Sequence, residues 1–173
     1  TDAQHGWGKG YTPLYLASTG CHTRIVRMLI GAKASIDQFG EEEIKLTPLY
    51  VASQQGHLDI MNLLIAAKAD LNLQAIDGAT PLSIASMDGH DQVVSLLVAA
   101  KADLDLRTNE GATPLYMASQ EGHLSVVNSL ISARATVDLQ RNDGIPPLHM
   151  ASQNGHLSVV NSLISARATI DLQ

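Results

Sequence analysis

The sequence has 173 residues, 45% of them apolar, which is enough to bury a substantial core. Its 17 acids outnumber 11 Lys and Arg for a net charge of −6, and this argues against nucleic acid as a partner, because that affinity is built on clustered cations. No run of about eighteen apolar residues and no basic-then-apolar start is present, so neither membrane insertion by this segment nor a signal peptide is expected.

Taken in order, the chain keeps returning to one pattern. Thr12-Pro13-Leu14-Tyr15, Thr47-Pro48-Leu49-Tyr50, Thr80-Pro81-Leu82-Ser83, Thr113-Pro114-Leu115-Tyr116 and Pro146-Pro147-Leu148-His149 open five units, spaced 35, 33, 33 and 33 residues apart. Gly122 to Thr136 recurs letter for letter as Gly155 to Thr169. Each opening predicts a helix start: a Thr hydroxyl caps the first turn, and Pro at the first helical position loses no intrahelical bond. A short helix follows, over roughly 48–55 and 81–88 in two of the units. Its Ala-Ser pairs (Ala17-Ser18, Ala52-Ser53, Ala85-Ser86, Ala118-Ser119, Ala151-Ser152) let neighbouring helices approach closely. Gly56, Gly89, Gly122 and Gly155 then supply a turn. A second helix, as in Leu58 to Ala67, carries Leu58, Met61, Leu64 and Ile65 on one face. A Gly/Asn/Asp-marked segment such as Asp70 to Ala79 closes the unit as a hairpin-like finger.

A unit of 33 residues built on T-P-L-x-x-A followed by G-H resembles the ankyrin repeat over essentially the whole chain. The resemblance implies an all-α solenoid of helix-turn-helix pairs with short β-hairpin fingers. The repeats are set at about 1–35, 36–70, 71–103, 104–136 and 137–169, with a stub at 170–173, in a single domain over 1–173. Only six aromatics are present, so the core must be aliphatic, as suits thin stacked layers. The chain starts and stops at the same phase of the repeat, and its last unit nearly duplicates the one before, so it is expected to be a piece of a longer array.

The departures from the family pattern are informative. Cys21 takes the turn position in the first unit, where it reads as a small packed residue rather than a reactive thiol. A lone cysteine forms no internal disulfide and favours a reducing compartment, cytoplasmic or nuclear. The fingers 2–12 and 37–47 are two residues longer than the rest, and irregular tips are expected there. The family's Gly after the second helix is replaced by Lys33, Lys68, Lys101, Arg134 and Arg167. A left-handed backbone there costs each non-glycine roughly 1 kcal/mol, offset in part because a cation near a helix C-terminus is favoured by about 0.3–1 kcal/mol. No unit pairs the family's Thr and His of T-P-L-H, so the hydrogen bond between them is expected to be missing throughout.

Chemistry-bearing patterns resolve into structural ones. His22, His57, His90, His123 and His156 occur once per unit. Packed helices lie roughly 8–10 Å apart and ligands of one zinc ion about 2 Å from it, so these histidines cannot share a metal; the resemblance implies that they tether turns to neighbouring backbone. His5 and His149 are expected to be exposed. Gly6-Trp7-Gly8-Lys9-Gly10 lacks the length and the Gly-Lys-Ser/Thr ending of a phosphate loop, and Glu41-Glu42-Glu43 lacks the interleaving of a calcium loop. The repeated serines have no nucleophile elbow. No metal, cofactor or catalytic residue is expected, and the chain does not read as an enzyme.

What the resemblance implies instead is a scaffold that binds a protein partner along fingers and inner helices. The matching positions are Ile76, Asp77, Asn109, Glu110, Asn142 and Asp143 on finger tips, and Gln54, Gln55, Met87, Asp88, Gln120, Glu121, Gln153 and Asn154 at inner-helix ends. Trp7, Tyr11 and Phe39 have no counterpart in other units and stand between contact and finger packing, whereas Tyr15, Tyr50 and Tyr116 read as structural. Glu41, Glu42 and Glu43 extend one tip. Eight acids on this face (Glu41, Glu42, Glu43, Asp77, Asp88, Glu110, Glu121, Asp143) against Lys9, Lys45, Arg107 and Arg141 fit either a partner with a basic surface or ordinary solubility. A passive spacer in a larger protein is the alternative function. The apolar surface expected at the last repeat favours end-to-end self-association.

Overall fold

The structure, a computed structural model, describes residues 11–40 and 43–171. Among them are ten helices in five pairs: α1 (Pro13–Thr19) with α2 (Thr23–Gly31), α3 (Pro48–Gln54) with α4 (Leu58–Ala66), α5 (Pro81–Met87) with α6 (Asp91–Ala99), α7 (Pro114–Glu121) with α8 (Leu124–Ser132), and α9 (Pro147–Gln153) with α10 (Leu157–Ser165). The odd-numbered, inner helices start as the sequence dictates. Thr12, Thr47, Thr80 and Thr113 are extended, and each hydroxyl accepts the N–H of the third residue on, at 3.1–3.2 Å. Pro146 offers no such cap to α9. Where the family's Thr–His bond was expected to be missing throughout, one repeat replaces it: the Ser83 and Thr80 hydroxyls lie 2.9 Å apart. Serine is short enough to turn back on the cap.

The pairs stack in chain order. The principal contacts join each inner helix to its own outer helix and to the next inner helix, and the inner row packs more closely than the outer. The unequal spacing bends the stack, with inner helices and fingers on the concave side. Its core is one continuous aliphatic column in which Leu14, Leu49, Leu82, Leu115 and Leu148 repeat on the inner helices and Leu64, Leu97, Leu130 and Leu163 on the outer. Burying each such leucine stabilises by about 1.5–3 kcal/mol. In α4 the fully buried residues are Ile60, Met61 and Leu64, so Ile60 joins the inward face while Leu58 and Ile65 are half-buried. The Ala-Ser alanines are all buried, which permits the close inner-row packing. A smaller cluster of Tyr15, Tyr50, Val51, Ala75, Ala79 and Ile84 lies under the finger bases.

Helix ends use the left-handed region. Gly122 ends α7 at φ 79°, and Lys33, Lys68, Lys101, Arg134 and Arg167 follow the outer helices at φ 62° to 72°. These five cations therefore carry the strain that glycine would relieve. Cys21 sits at φ 56° and is exposed, not packed.

The fingers are hairpin-shaped turns. Among the described residues they form no regular strand: each is closed by one bond across its base, Ala75 N–H to Ala79 O at 2.9 Å, Thr108 N–H to Ala112 O at 3.0 Å and Arg141 N–H to Ile145 O at 2.9 Å, and by one tight-turn bond, such as Gly78 N–H to Ala75 O at 2.9 Å. The longer second finger closes over a wider span, Gly40 N–H to Leu46 O at 2.8 Å, with Lys45 at φ 55°. No helix among the described residues is long and apolar enough to cross a membrane.

Candidate functional site

The finger tips are tied into a row by backbone bonds one repeat apart. Ile76 N–H donates to Ile44 O at 3.0 Å, Asn109 N–H to Asp77 O at 2.8 Å, and Asn142 N–H to Glu110 O at 2.9 Å. Side chains reinforce it: the Asn109 amide donates to Ile76 O and that of Asn142 to Asn109 O, both at 2.8 Å. Arg107 reaches along the row to Gly111 O, Gln140 O and Asn142 Oδ1 at 2.8–3.1 Å. Tips held this way form a surface rather than separate loops, which lowers the ordering cost of binding.

The turns between helices are fixed by histidines. His57, His90, His123 and His156 place Nε2 at 3.3, 2.8, 2.9 and 2.9 Å from the carbonyl oxygens of Thr19, Gln54, Met87 and Gln120 in the preceding pair. These carbonyls belong to the last turns of inner helices, where no intrahelical partner remains. His22 instead lies beside Gly20 in its own turn, and His149 is exposed.

A second set of ties at the finger bases was not foreseen from sequence. Asp105 accepts both the Thr136 N–H and its hydroxyl, at 2.9 and 2.5 Å, and Asp138 repeats this with Thr169 at 3.1 and 2.7 Å. Asp37 and Asn72 accept the N–H of Asp70 and Asp103. The recurrence of Asp before Thr at a fixed spacing of 31 residues was the available signal.

The positions expected from the family resemblance fall as follows. Ile76, Asp77, Asn109, Glu110, Asn142 and Asp143 are exposed on the tips. Gln55, Met87, Asp88, Glu121, Gln153 and Asn154 are exposed at inner-helix ends, while Gln54 and Gln120 are half-buried. Tyr11 is exposed with its ring 5.5 Å from that of Tyr15, Phe39 is half-buried and Glu43 is exposed. Trp7, Glu41 and Glu42, like His5 and the first finger up to residue 10, lie outside the described residues. Tyr15, Tyr50 and Tyr116 are buried, in keeping with a structural role.

Charge on this face is unevenly compensated. Arg141 pairs with Asp143 and lies 3.6 Å from Glu110, with its guanidinium 5.8 Å from the centroid of the Tyr116 ring. Its hydrogen bond holds the Asp143 carboxyl below the usual range. The Tyr116 hydroxyl beneath is buried without a hydrogen-bond partner among the described residues, and burial raises its pKa. Asp77, Asp88 and Glu121 have no cation paired with them among the described residues. The Tyr50 phenol is pushed up to about 12, first by burial and then by the charges of Asp77 and Asp88. Burial also raises the Asp88 carboxyl; His90 and His123 oppose this and Glu121 adds to it.

No group of three or more His, Cys, Asp or Glu among the described residues is arranged to hold a metal ion. No curated protein matches the chain. The family description for ankyrin repeats in three copies matches residues 1–75 and 49–143, and that for a single ankyrin repeat matches residues 143–173. With these matches across stacked helix pairs that lean on their sequence neighbours, the chain belongs to the ankyrin-repeat family.

Proposed function

We propose that the chain is a non-catalytic scaffold binding a protein partner along the concave face formed by finger tips and inner-helix ends. Ankyrin repeats are in general protein–protein interaction modules. The observation that carries the reading is the contrast between a finger row tied by hydrogen bonds and polar side chains on the same face, among them Asp77, Asp88, Glu110, Glu121 and Asn154, which remain exposed. The excess of acids favours a partner with a basic surface. The five repeats form one domain, and its single exposed thiol fits the cytoplasm or nucleus.

A passive spacer is the second reading, favoured by the identity of Gly122–Thr136 and Gly155–Thr169, since a surface shaped to one partner should differ between repeats. Photo-crosslinking residues placed at Asn109 and Gln120, and at Gln92 on the outer helix α6, separate the two. Discrete partner adducts from the first two positions alone support the concave face. A spacer gives none, and adducts from Gln92 alone move the interface to the other side.

A further inference from the structure

We infer that recognition centres on the third repeat, where exposed Ile76 and Met87 take apolar side chains of the partner and Asp77, Asp88 and Glu121 take the basic residues flanking them. The inference rests on the concave-face reading and narrows it to a basic–apolar peptide segment.

The argument begins with two broken repeats of pattern. Asn109 and Asn142 occupy the tip position that Ile76 fills, and each uses its amide to bond the preceding finger. Isoleucine forgoes that bond and leaves its side chain 56% exposed. Met87 stands where three of the other inner helices carry Gln54, Gln120 and Gln153 and the first carries Thr19, and it is 38% exposed. Away from the first and last helix pairs, these two are the large apolar side chains exposed to solvent among the described residues. Both fall in one repeat, on the concave side, and each is followed directly by an aspartate. Ile76 thus displaces a bonding residue, and both side chains keep apolar surface in water, which fits an anchor contact of a partner.

The charge pattern points to the same place. Glu110 and Asp143 are compensated by Arg141, so among the described residues the acids of this face left without a paired cation are those beside Ile76 and Met87, Glu121 on the next inner helix, and Glu43 on the second finger. Asp77 and Asp88 directly follow Ile76 and Met87 in the chain, and both are exposed. An arginine or lysine entering there gains charge-assisted bonds, and an acidic segment is repelled, which gives selectivity.

The test is fluorescence anisotropy with labelled synthetic peptides in a Gly/Ser frame: a Leu-Leu pair flanked by arginines, the same with Glu for Arg, and the same with Ser for Leu. The Arg/Leu peptide should bind, more weakly as salt rises, and the other two should not. Ile76→Asn with Met87→Gln restores the repeat pattern, so its thermal stability should be kept while affinity falls by about tenfold or more. Asp77→Asn with Asp88→Asn should lower affinity similarly and flatten the salt dependence. Asn62→Ala with Gln92→Ala, exposed on the outer helices α4 and α6, should change little. No binding of the Arg/Leu peptide, equal binding of the Glu peptide, or undiminished binding by the third-repeat variants overturns the inference. Crosslinks from Asn109 and Gln120 that persist in that event leave the concave-face reading intact, and their absence removes both.

Discussion

His90 Nε2 lies 2.8 Å from the carbonyl oxygen of Gln54, 36 residues earlier in the chain, and its ring packs against Gly56, where an added Cβ would meet His90 Cε1 at 3.1 Å. The side chain thus joins the end of α3 to the turn that starts α6. His90→Ala is expected to cost about 1–2 kcal/mol, since it removes the bond and leaves an end carbonyl without its partner. His22→Ala, which breaks no such tie, should stay within about 0.5 kcal/mol. Urea unfolding of the two variants at equal m-value checks this, and equal midpoints would contradict it.

Tyr50 makes the stack sensitive to alkali. Its phenol titrates at about 12 when folded, against 10.0 for the free group. Below pH 10 it is neutral in both states and its contribution to stability is fully present. As pH rises from 10 towards 12, the unfolded phenol ionises first and draws the equilibrium towards unfolding. The tyrosinate signal that Tyr50→Phe removes should therefore appear later than that of a free phenol in an ultraviolet titration, and Tyr50→Phe should lose part of the alkaline destabilisation. Asp77→Asn should bring the lagging signal to lower pH. A single shared transition near pH 10 in the intact chain would refute the assignment.

Gly40 and Gly31 should respond in opposite directions. A Cβ at Gly40 would fall 2.0 Å from Cγ of the buried Tyr15 ring, so Gly40→Ala must displace that ring and should cost about 1–3 kcal/mol. Gly31 ends α2 with nothing within 4 Å of such a Cβ. Gly31→Ala should stabilise by up to about 1 kcal/mol through helix propensity. Thermal melts of the two variants decide the matter.

The chain over residues 1–173 is expected to self-associate end to end. Leu157, Ile164 and Ile170 are exposed in the last repeat, as are Ile25 and Met28 in the first. The two surfaces differ, so their contact is head-to-tail and does not close on a dimer. Sedimentation velocity should show species growing with concentration and reduced by Ile164→Lys. A strict monomer at high concentration contradicts this.

The helices were legible because each rests on local chemistry repeated five times: the Thr-Pro start, the Gly or Lys/Arg left-handed stop, and Leu at fixed spacing. The histidine ties were legible through family resemblance. What escaped was set by neighbours a whole repeat away. Arg141 reads in sequence as one cation among acids, and only the stacking of fingers brings it to Glu110 and over Tyr116. Ile60 joins the buried set because the outer helix faces both its own pair and the next. Cys21 has the size of a core residue, but it occupies an exposed left-handed turn. Ser83 resembles a lost histidine until its hydroxyl is seen against Thr80.

The central claim is that the finger and inner-helix face is where a partner sits. A crystal structure of the chain bound to the partner captured by crosslinking tests it most directly. The account predicts partner atoms against finger tips and inner-helix ends, with apolar side chains on Ile76 and Met87 and basic ones near Asp77 and Asp88. A partner seated on the outer helices, with those four side chains still in solvent, would contradict it.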